Sequence, residues 1–288
     1  MAPLLKQSDT RFWPIDKIIL AYFVFALVLT VGWWRELPYA GALLAAHLAG
    51  ILLLVYEVKR PNATSFVFRC WYPLIYVASC YKSMALFIPA VRHHSSADQG
   101  LANLDFRIWQ AHPTVWLERL QTPAATELLQ VVYTLFVPMV LLPAVVLWSR
   151  RHYKEFQYFA FLIAMGYLVS YVGYLIVPAR GPRFLLAPLQ HISLQGLWLF
   201  NGLQGTLDRL ESAHYDCFPS GHTELTILAW WSTRQFGNHW FWPSFAYTLS
   251  IIFATVYLRY HYTVDVLAGM LVAAILLGVT PWIYRRLK

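Results

Sequence analysis

Charge is what this sequence has least of. Asp, Glu, Lys and Arg together supply 12% of its 288 residues while apolar types supply 59%, against about 25% and 45–50% in soluble domains. A soluble fold of this length has too little interior to hide that surface, so the excess must face lipid. Cysteine is also scarce. Cys70, Cys80 and Cys217 are too few for a disulfide framework. The first two stand about 15 Å apart along one expected helix, too far to bridge. Nothing near any of them lowers a thiol pKa, so all three read as structural. Internal repeats, low-complexity tracts and flexible linkers are absent, so residues 1–288 form one domain. Period-two alternation is absent too, which argues against membrane strands.

What is present is long apolar runs. About 20 such residues cross the hydrocarbon core as a helix, and runs at 18–34, 39–58, 71–89, 127–148, 156–177, 223–236, 241–258 and 262–284 qualify. The expected fold is all-α, a polytopic membrane bundle of about eight helices. It divides into N-terminal transmembrane helices (1–90), an extracytoplasmic loop with short interfacial helices (91–125) and a catalytic part (126–288). Lys6, Arg11 and Lys17 precede the first run in the manner of a signal peptide. The run is too long for one, and no small-residue cleavage site follows Trp33 and Trp34, so it reads as a retained helix.

The net charge of +8 is spread through short loops, which excludes a nucleic-acid surface. With the N-terminus inside, 13 of the 22 basic residues fall inside and eight outside. That bias favours an N-in, C-in protein of a plasma, inner or endomembrane. The long loops, 92–126 and 178–220, then lie outside. Leu104–Trp109 and Val115–Leu120 mix apolar and charged residues at helical spacing, as interfacial helices do.

Three polar clusters interrupt the apolar sequence, all at outside ends of spans: Arg180-Gly181-Pro182-Arg183 after the fifth, Pro219-Ser220-Gly221-His222 opening the sixth, and Arg259-Tyr260-His261 through Asp265 opening the eighth. Ionisable groups at membrane depth are expensive and therefore candidate functional groups. His261 and Asp265, four apart, share a helix face. The carboxylate there accepts the Nδ1–H, leaving Nε2 as nucleophile, and stabilises the cation formed on attack at phosphorus. Ser220 is a good N-cap and Gly221 permits close approach, so the amides of the sixth span form an anion site. His222 beside it can protonate a leaving oxygen. Arg180, Arg183 and Arg259 offer forked donors for phosphate. Each has an ordinary alternative: a structural hydrogen bond for the His–Asp pair, a plain helix start for 219–222, and interfacial snorkelling for the arginines.

Together these motifs resemble those of the type 2 phosphatidic acid phosphatase superfamily, over roughly the C-terminal two thirds of the chain. The Arg-Gly-Pro-Arg-Phe element and Arg-Tyr-His-Tyr-x-x-Asp look closest to the branch of inositol phosphorylceramide and sphingomyelin synthases. The resemblance implies a six-helix core within the bundle, a phosphohistidine on His261, His222 as general acid, Asp265 as orienting carboxylate, no cofactor and no metal. Phosphate would be bound by Arg180, Arg183, Ser220, Gly221 and Arg259, and the substrate would be a lipid phosphate or phospholipid. Two positions depart from the phosphatase pattern. Gly173 stands where the first motif has lysine, and Thr255 where the third has arginine. Both departures lean toward a head-group transferase.

Other polar residues carry less. Glu224 suits the first-turn dipole, Asp216 a head group or solvent, and Lys82, Glu57 and His47 a pairing inside the bundle. His93, His94 and His112 have no metal-ligand spacing. Two other classes stay open: a transporter using His and Asp as a proton relay, and a metal hydrolase with His222, His261 and Asp265 as ligands. The sequence does not distinguish water from an alcohol as acceptor and is silent on oligomeric state.

Overall fold

Lipid leaves a polypeptide backbone little choice but to satisfy itself by coiling. Every expected span is helical in the computed structural model, which describes residues 10–92, 96–210 and 215–288. Lys6, His93 and His94 lie outside the described residues. Among the described residues there is no strand; Ala179 and Asp216 form an isolated parallel bridge. The helices are α1 (Pro14–Gly32), α2 (Ala40–Lys59), α3 (Ala63–Arg92), α4 (Asp98–Trp109), α5 (Pro113–Trp116), α6 (Pro123–Thr134), α7 (Phe136–Ser149), α8 (Tyr153–Ile176), α9 (Pro182–Leu185), α10 (Phe200–Leu210), α11 (Gly221–Ser232), α12 (Asn238–Tyr257) and α13 (Thr263–Leu287).

Helices α1, α2, α3, α8 and α13 are long and apolar enough to cross a membrane, and the chain is an integral membrane protein. Helices α6 and α7 add a sixth crossing if they form one span bent by 45°. The bend falls where a single run was expected. Pro138 sits three residues into α7; it has no N–H to give the Thr134 carbonyl, and its ring crowds that carbonyl. By length and composition the candidates number five or six, against about eight expected. Helix α11, read as the sixth span, has 12 residues, about 18 Å against a core of about 30 Å. Helix α12, read as the seventh, has 20 residues but is rich in Trp, Tyr, Ser and Thr. Helix α11 packs inside the bundle against α7, α8, α12 and α13, where lipid-facing hydropathy is not needed, whereas α12 packs on α6 and α11 and leaves Trp242, Leu249 and Phe253 exposed.

Helix α8 is the hub. Its most apolar stretch is 61% buried against 17% for α2, and it packs on α1, α3, α7, α11 and α13. Residues 159–164 are buried all round, so α8 reads as uniformly apolar rather than amphipathic. At one end of the bundle Lys17 Nζ donates to the Leu287 carbonyl at 2.5 Å, bringing the start of α1 to the end of α13. The expected pairing of Lys82, Glu57 and His47 does not form. His47 Nδ1 bonds its own helix at the Leu43 carbonyl, 2.7 Å away, and Lys82 is exposed. At the other end α4 packs on the start of α13.

Candidate active site

The first turn of α13 is assembled by two carboxylates. Helix starts carry amides with no intrahelical partner. Asp105 on α4 takes the N–H of Thr263 and Val264, each at 2.9 Å, and the Thr263 hydroxyl at 2.7 Å. Asp265, in the third helical position, turns back to accept the Tyr262 N–H at 2.8 Å. His261 is thereby held one residue ahead of the helix cap, with its own N–H on the Thr255 carbonyl at 3.0 Å.

The His261 side chain is not held as the sequence suggested. Its Nδ1 lies 2.9 Å from the Cys217 carbonyl oxygen and 3.6 Å from Asp265 Oδ2. A carbonyl only accepts, so Nδ1 carries the proton and Nε2 keeps the lone pair. Asp265 is an ionic neighbour rather than the hydrogen-bond partner, because its capping role draws Oδ2 toward the Tyr262 amide. The same oxygen accepts the Cys217 thiol at 2.8 Å. Asp265 Oδ1 is buried with no partner among the described residues. Burial, and then the neighbouring Asp265 charge, push the Cys217 thiol well above its ordinary pKa, so it is a donor here and not a thiolate.

Helix α11 starts against α13. Ser220 is its N-cap: Oγ accepts the Thr223 N–H at 3.3 Å, and its own N–H bonds the Asp265 carbonyl at 3.0 Å. Ser220 therefore joins the two helices, and the first-turn amides of Gly221 and His222 are the ones left for an anion. A Cβ on Gly221 would lie 2.6 Å from the Tyr174 hydroxyl, so only glycine fits. The His222 ring lies between rings, 4.5 Å from Tyr133 and 4.4 Å from Phe136, which the break at residue 135 places on either side of the bend. The His222 and His261 ring centroids are 5.7 Å apart. His222 also lines a cavity of about 280 Å³ with Tyr133, Phe136, Tyr174, Leu207 and Asp216. Asp216 accepts the Tyr81 hydroxyl there at 2.5 Å, whereas Glu224 is turned into the bundle, where it accepts the Ser170 hydroxyl at 2.6 Å.

The arginines separate. Arg183 stacks on Tyr260 at 4.9 Å. Tyr260 stacks on Tyr133 at 4.3 Å, and Tyr133 on His222, so the guanidinium joins a column of planar groups at the site. It also pairs with Asp208 at 3.0 Å. Arg180 lies over the Phe184 ring at 4.3 Å with its side chain exposed. Its backbone N–H and that of Gly181 are fixed at 2.8 Å by Asp98, which also accepts the Tyr262 hydroxyl at 3.0 Å. Arg259 is a correction. Its buried guanidinium is taken by Glu118 at 2.9 Å, Gln190 at 3.0 Å and the Ile192 carbonyl at 2.5 Å, leaving it to organise the loop rather than a phosphate. Both departures from the phosphatase pattern fall at close-packed positions. A Cβ on Gly173 would fall 2.3 Å from Pro219, so no lysine fits there. Thr255 is fully buried, and its carbonyl anchors the Tyr260 and His261 amides.

The sequence reading missed Cys217, whose proximity to the 219–222 motif is the one signal that could have found it. It also missed Asp98, Asp105, Glu118 and Glu127, which carry the surrounding loops. Among the described residues the metal-ligating atoms that cluster within 4.8 Å are those of Cys217, His261 and Asp265; His222, a ligand in the metal-hydrolase alternative, is outside that cluster. His112 packs on Phe106 with ring centroids 5.3 Å apart.

Comparison with known proteins matches residues 100–279 to the family model of the PAP2 superfamily, a span that takes in both histidines, Asp265 and the arginines. A PA-phosphatase related-family protein of Dictyostelium discoideum is 29% identical over 107 residues, 36% of this chain. The match covers only 19% of that protein's length. No solved structure matches.

Proposed function

The chain belongs to the PAP2 superfamily, and from that premise we propose that it is a lipid phosphate phosphatase or phosphotransferase working through a phosphohistidine on His261. The observation that carries this reading is the Cys217 carbonyl on Nδ1, which leaves Nε2 as the free lone pair on a ring 5.7 Å from that of a second histidine.

The substrate's phosphate rests on the first-turn amides of α11 and against Arg183, with the exposed Arg180 as an outer cation. Nε2 attacks phosphorus, the bond from phosphorus to the leaving oxygen breaks, and His222 gives its proton to that oxygen. The Asp265 charge, 3.6 Å from Nδ1, offsets the positive charge on the phosphorylated ring. An incoming water or alcohol then loses its proton to His222 as its oxygen attacks phosphorus, the N–P bond breaks, and Nε2 recovers its lone pair. The cavity at His222 fits the alcohol portion of the ester rather than a whole lipid, so the acyl chains stay in the bilayer. The step needs no metal or cofactor. The excess of basic residues in the opposite loops supports a site on the extracytoplasmic face, with both termini inside.

The head-group transferase reading is favoured by Gly173. With lysine sterically excluded, one fixed cation is missing from the phosphate site, as in the branch the 180–184 and 259–265 motifs resemble. The test is to give the purified protein radioactive diacylglycerol phosphate, phosphatidylinositol or phosphatidylcholine, with and without ceramide. Label on His261 is expected after acid-free quenching, with free phosphate or a new phospholipid as product. Turnover that persists in His261→Gln would sink the mechanism, and turnover lost to a chelator and restored by zinc would replace it with a metal-dependent one.

A further inference from the structure

Residues 190–200 connect the α9 region to α10 and are tied down along one side. The His191 N–H donates to the Glu118 carboxylate at 3.1 and 3.2 Å, and Arg259 holds the Ile192 carbonyl. Further along, the N–H groups of Leu197, Trp198, Leu199 and Phe200 all converge on Glu127, at 2.9, 3.3, 2.6 and 3.1 Å. Glu118 precedes α6, and Glu127 lies four residues into it, about 6 Å along its axis. The segment therefore descends beside α6, which is one half of the broken span. Its other side is apolar and uncovered: Leu197 is 50% exposed, Trp198 87% and Leu199 56%.

In water neither half of this arrangement has a purpose. Solvent satisfies loop amides, and a Leu-Trp-Leu run gains nothing from standing in it. At the boundary between head groups and hydrocarbon both halves are required. Amides there must find protein acceptors, and tryptophan with flanking leucines is the composition that this layer favours.

We infer that the tip 197–199 is inserted into the lipid interface, with Glu127 replacing the water its backbone would otherwise need. The occupant of this face is bilayer lipid. Helix α10 follows directly and presents Leu207 and Leu210 to the cavity at His222, so the lipid-anchored tip and one wall of the reaction cavity are a single continuous piece of chain. The inference requires an integral membrane protein and does not depend on phosphoryl transfer.

The full chain carrying Trp198→Cys takes a nitroxide selectively, since Cys70, Cys80 and Cys217 are all buried. It is reconstituted in phosphatidylcholine vesicles and its accessibility to oxygen and to a water-soluble nickel chelate is compared. Val28→Cys on α1, 61% exposed, is the lipid-facing reference. Oxygen access exceeding nickel access, as at residue 28, is expected. Nickel access typical of water overturns the inference, and so does exclusion of both reagents, which would mean a protein partner. Trp198→Phe gives a label-free check. The emission lost relative to the parent protein should be the part quenched by brominated acyl chains; if it is instead the part quenched by acrylamide, the tip is in water.

Discussion

Two buried acids sit at opposite ends of this bundle, and they are treated differently. Asp16, at the end where α1 meets α13, has both oxygens occupied. Oδ2 takes Arg69 at 2.6 Å and the Trp13 N–H at 2.8 Å, and Oδ1 takes the Tyr72 hydroxyl at 3.1 Å. Asp265 leaves Oδ1 without a partner among the described residues and stands 3.6 Å from an imidazole whose Nε2 is free. From Thr263 the two ends are separated by the 25 residues of α13, about 37 Å. A buried carboxylate with both oxygens occupied has nothing left to offer a ligand. An unsaturated one is costly to keep, and its cost makes sense where a charge develops during a reaction. The difference separates an acid that holds helices together from one that serves chemistry.

The comparison breaks if His261 is dispensable. His261→Gln should cut kcat by about 10⁴-fold or more while leaving thermal unfolding in detergent within a few degrees of the parent. At the other end the expectation is reversed. Arg69→Met strands the Asp16 carboxylate and should destabilise the protein by about 3–5 kcal/mol, with the surviving folded fraction showing parental kcat. Unfolding midpoints and active-site titration read on the same preparations separate these outcomes; a large kcat loss in Arg69→Met would merge the two ends.

Asp265→Asn sharpens the comparison within the site. A unit charge at about 4 Å is worth about 4 kcal/mol at an effective dielectric of 20, and part of that is lost to relaxation. The expected fall in kcat is about 100-fold, equivalent to about 2.7 kcal/mol. Because the Cys217 carbonyl still holds Nδ1, burst labelling of His261 should slow rather than disappear. Complete loss of labelling would mean that Asp265, and not the carbonyl, sets the tautomer.

Much of this was readable in sequence, and what was not has a physical cause. The apolar runs and the motifs at 180–183, 219–222 and 259–265 are local patterns, and the structure brings His222, His261, Asp265 and Arg183 together. The acids Asp98, Asp105, Glu118 and Glu127 bond backbone 70 to 160 residues away, for example Glu127 with Leu197 and Asp105 with Thr263. Such pairs leave no periodicity to detect. Arg259 was misread for the same reason, because its acceptors lie at 118, 121, 190 and 192. Helix α12 illustrates a limit of hydropathy: its Trp, Tyr, Ser and Thr lower its average, although Trp242, Leu249 and Phe253 stand exposed on one side.

Cys217 gives the smallest effect and the finest discrimination. Its carbonyl orients His261 in any variant, whereas its thiol donates to Asp265 Oδ2, so substitution tests the side chain alone. In Cys217→Ala the carboxylate loses that donor and is free to swing toward Nδ1. A fall in kcat of about 10-fold, or about 1.4 kcal/mol, is expected, with KM unchanged and the pH profile of kcat displaced. Cys217→Ser restores a donor of similar reach and should recover most of the rate. A merely structural cysteine predicts lower stability, an unmoved pH profile and no preference for serine over alanine. The thiol is raised in pKa by burial, so in the folded parent it should also resist iodoacetamide at pH 8 and react only once the protein is unfolded. Ready alkylation of the native protein would place Cys217 at an open surface and remove it from the site.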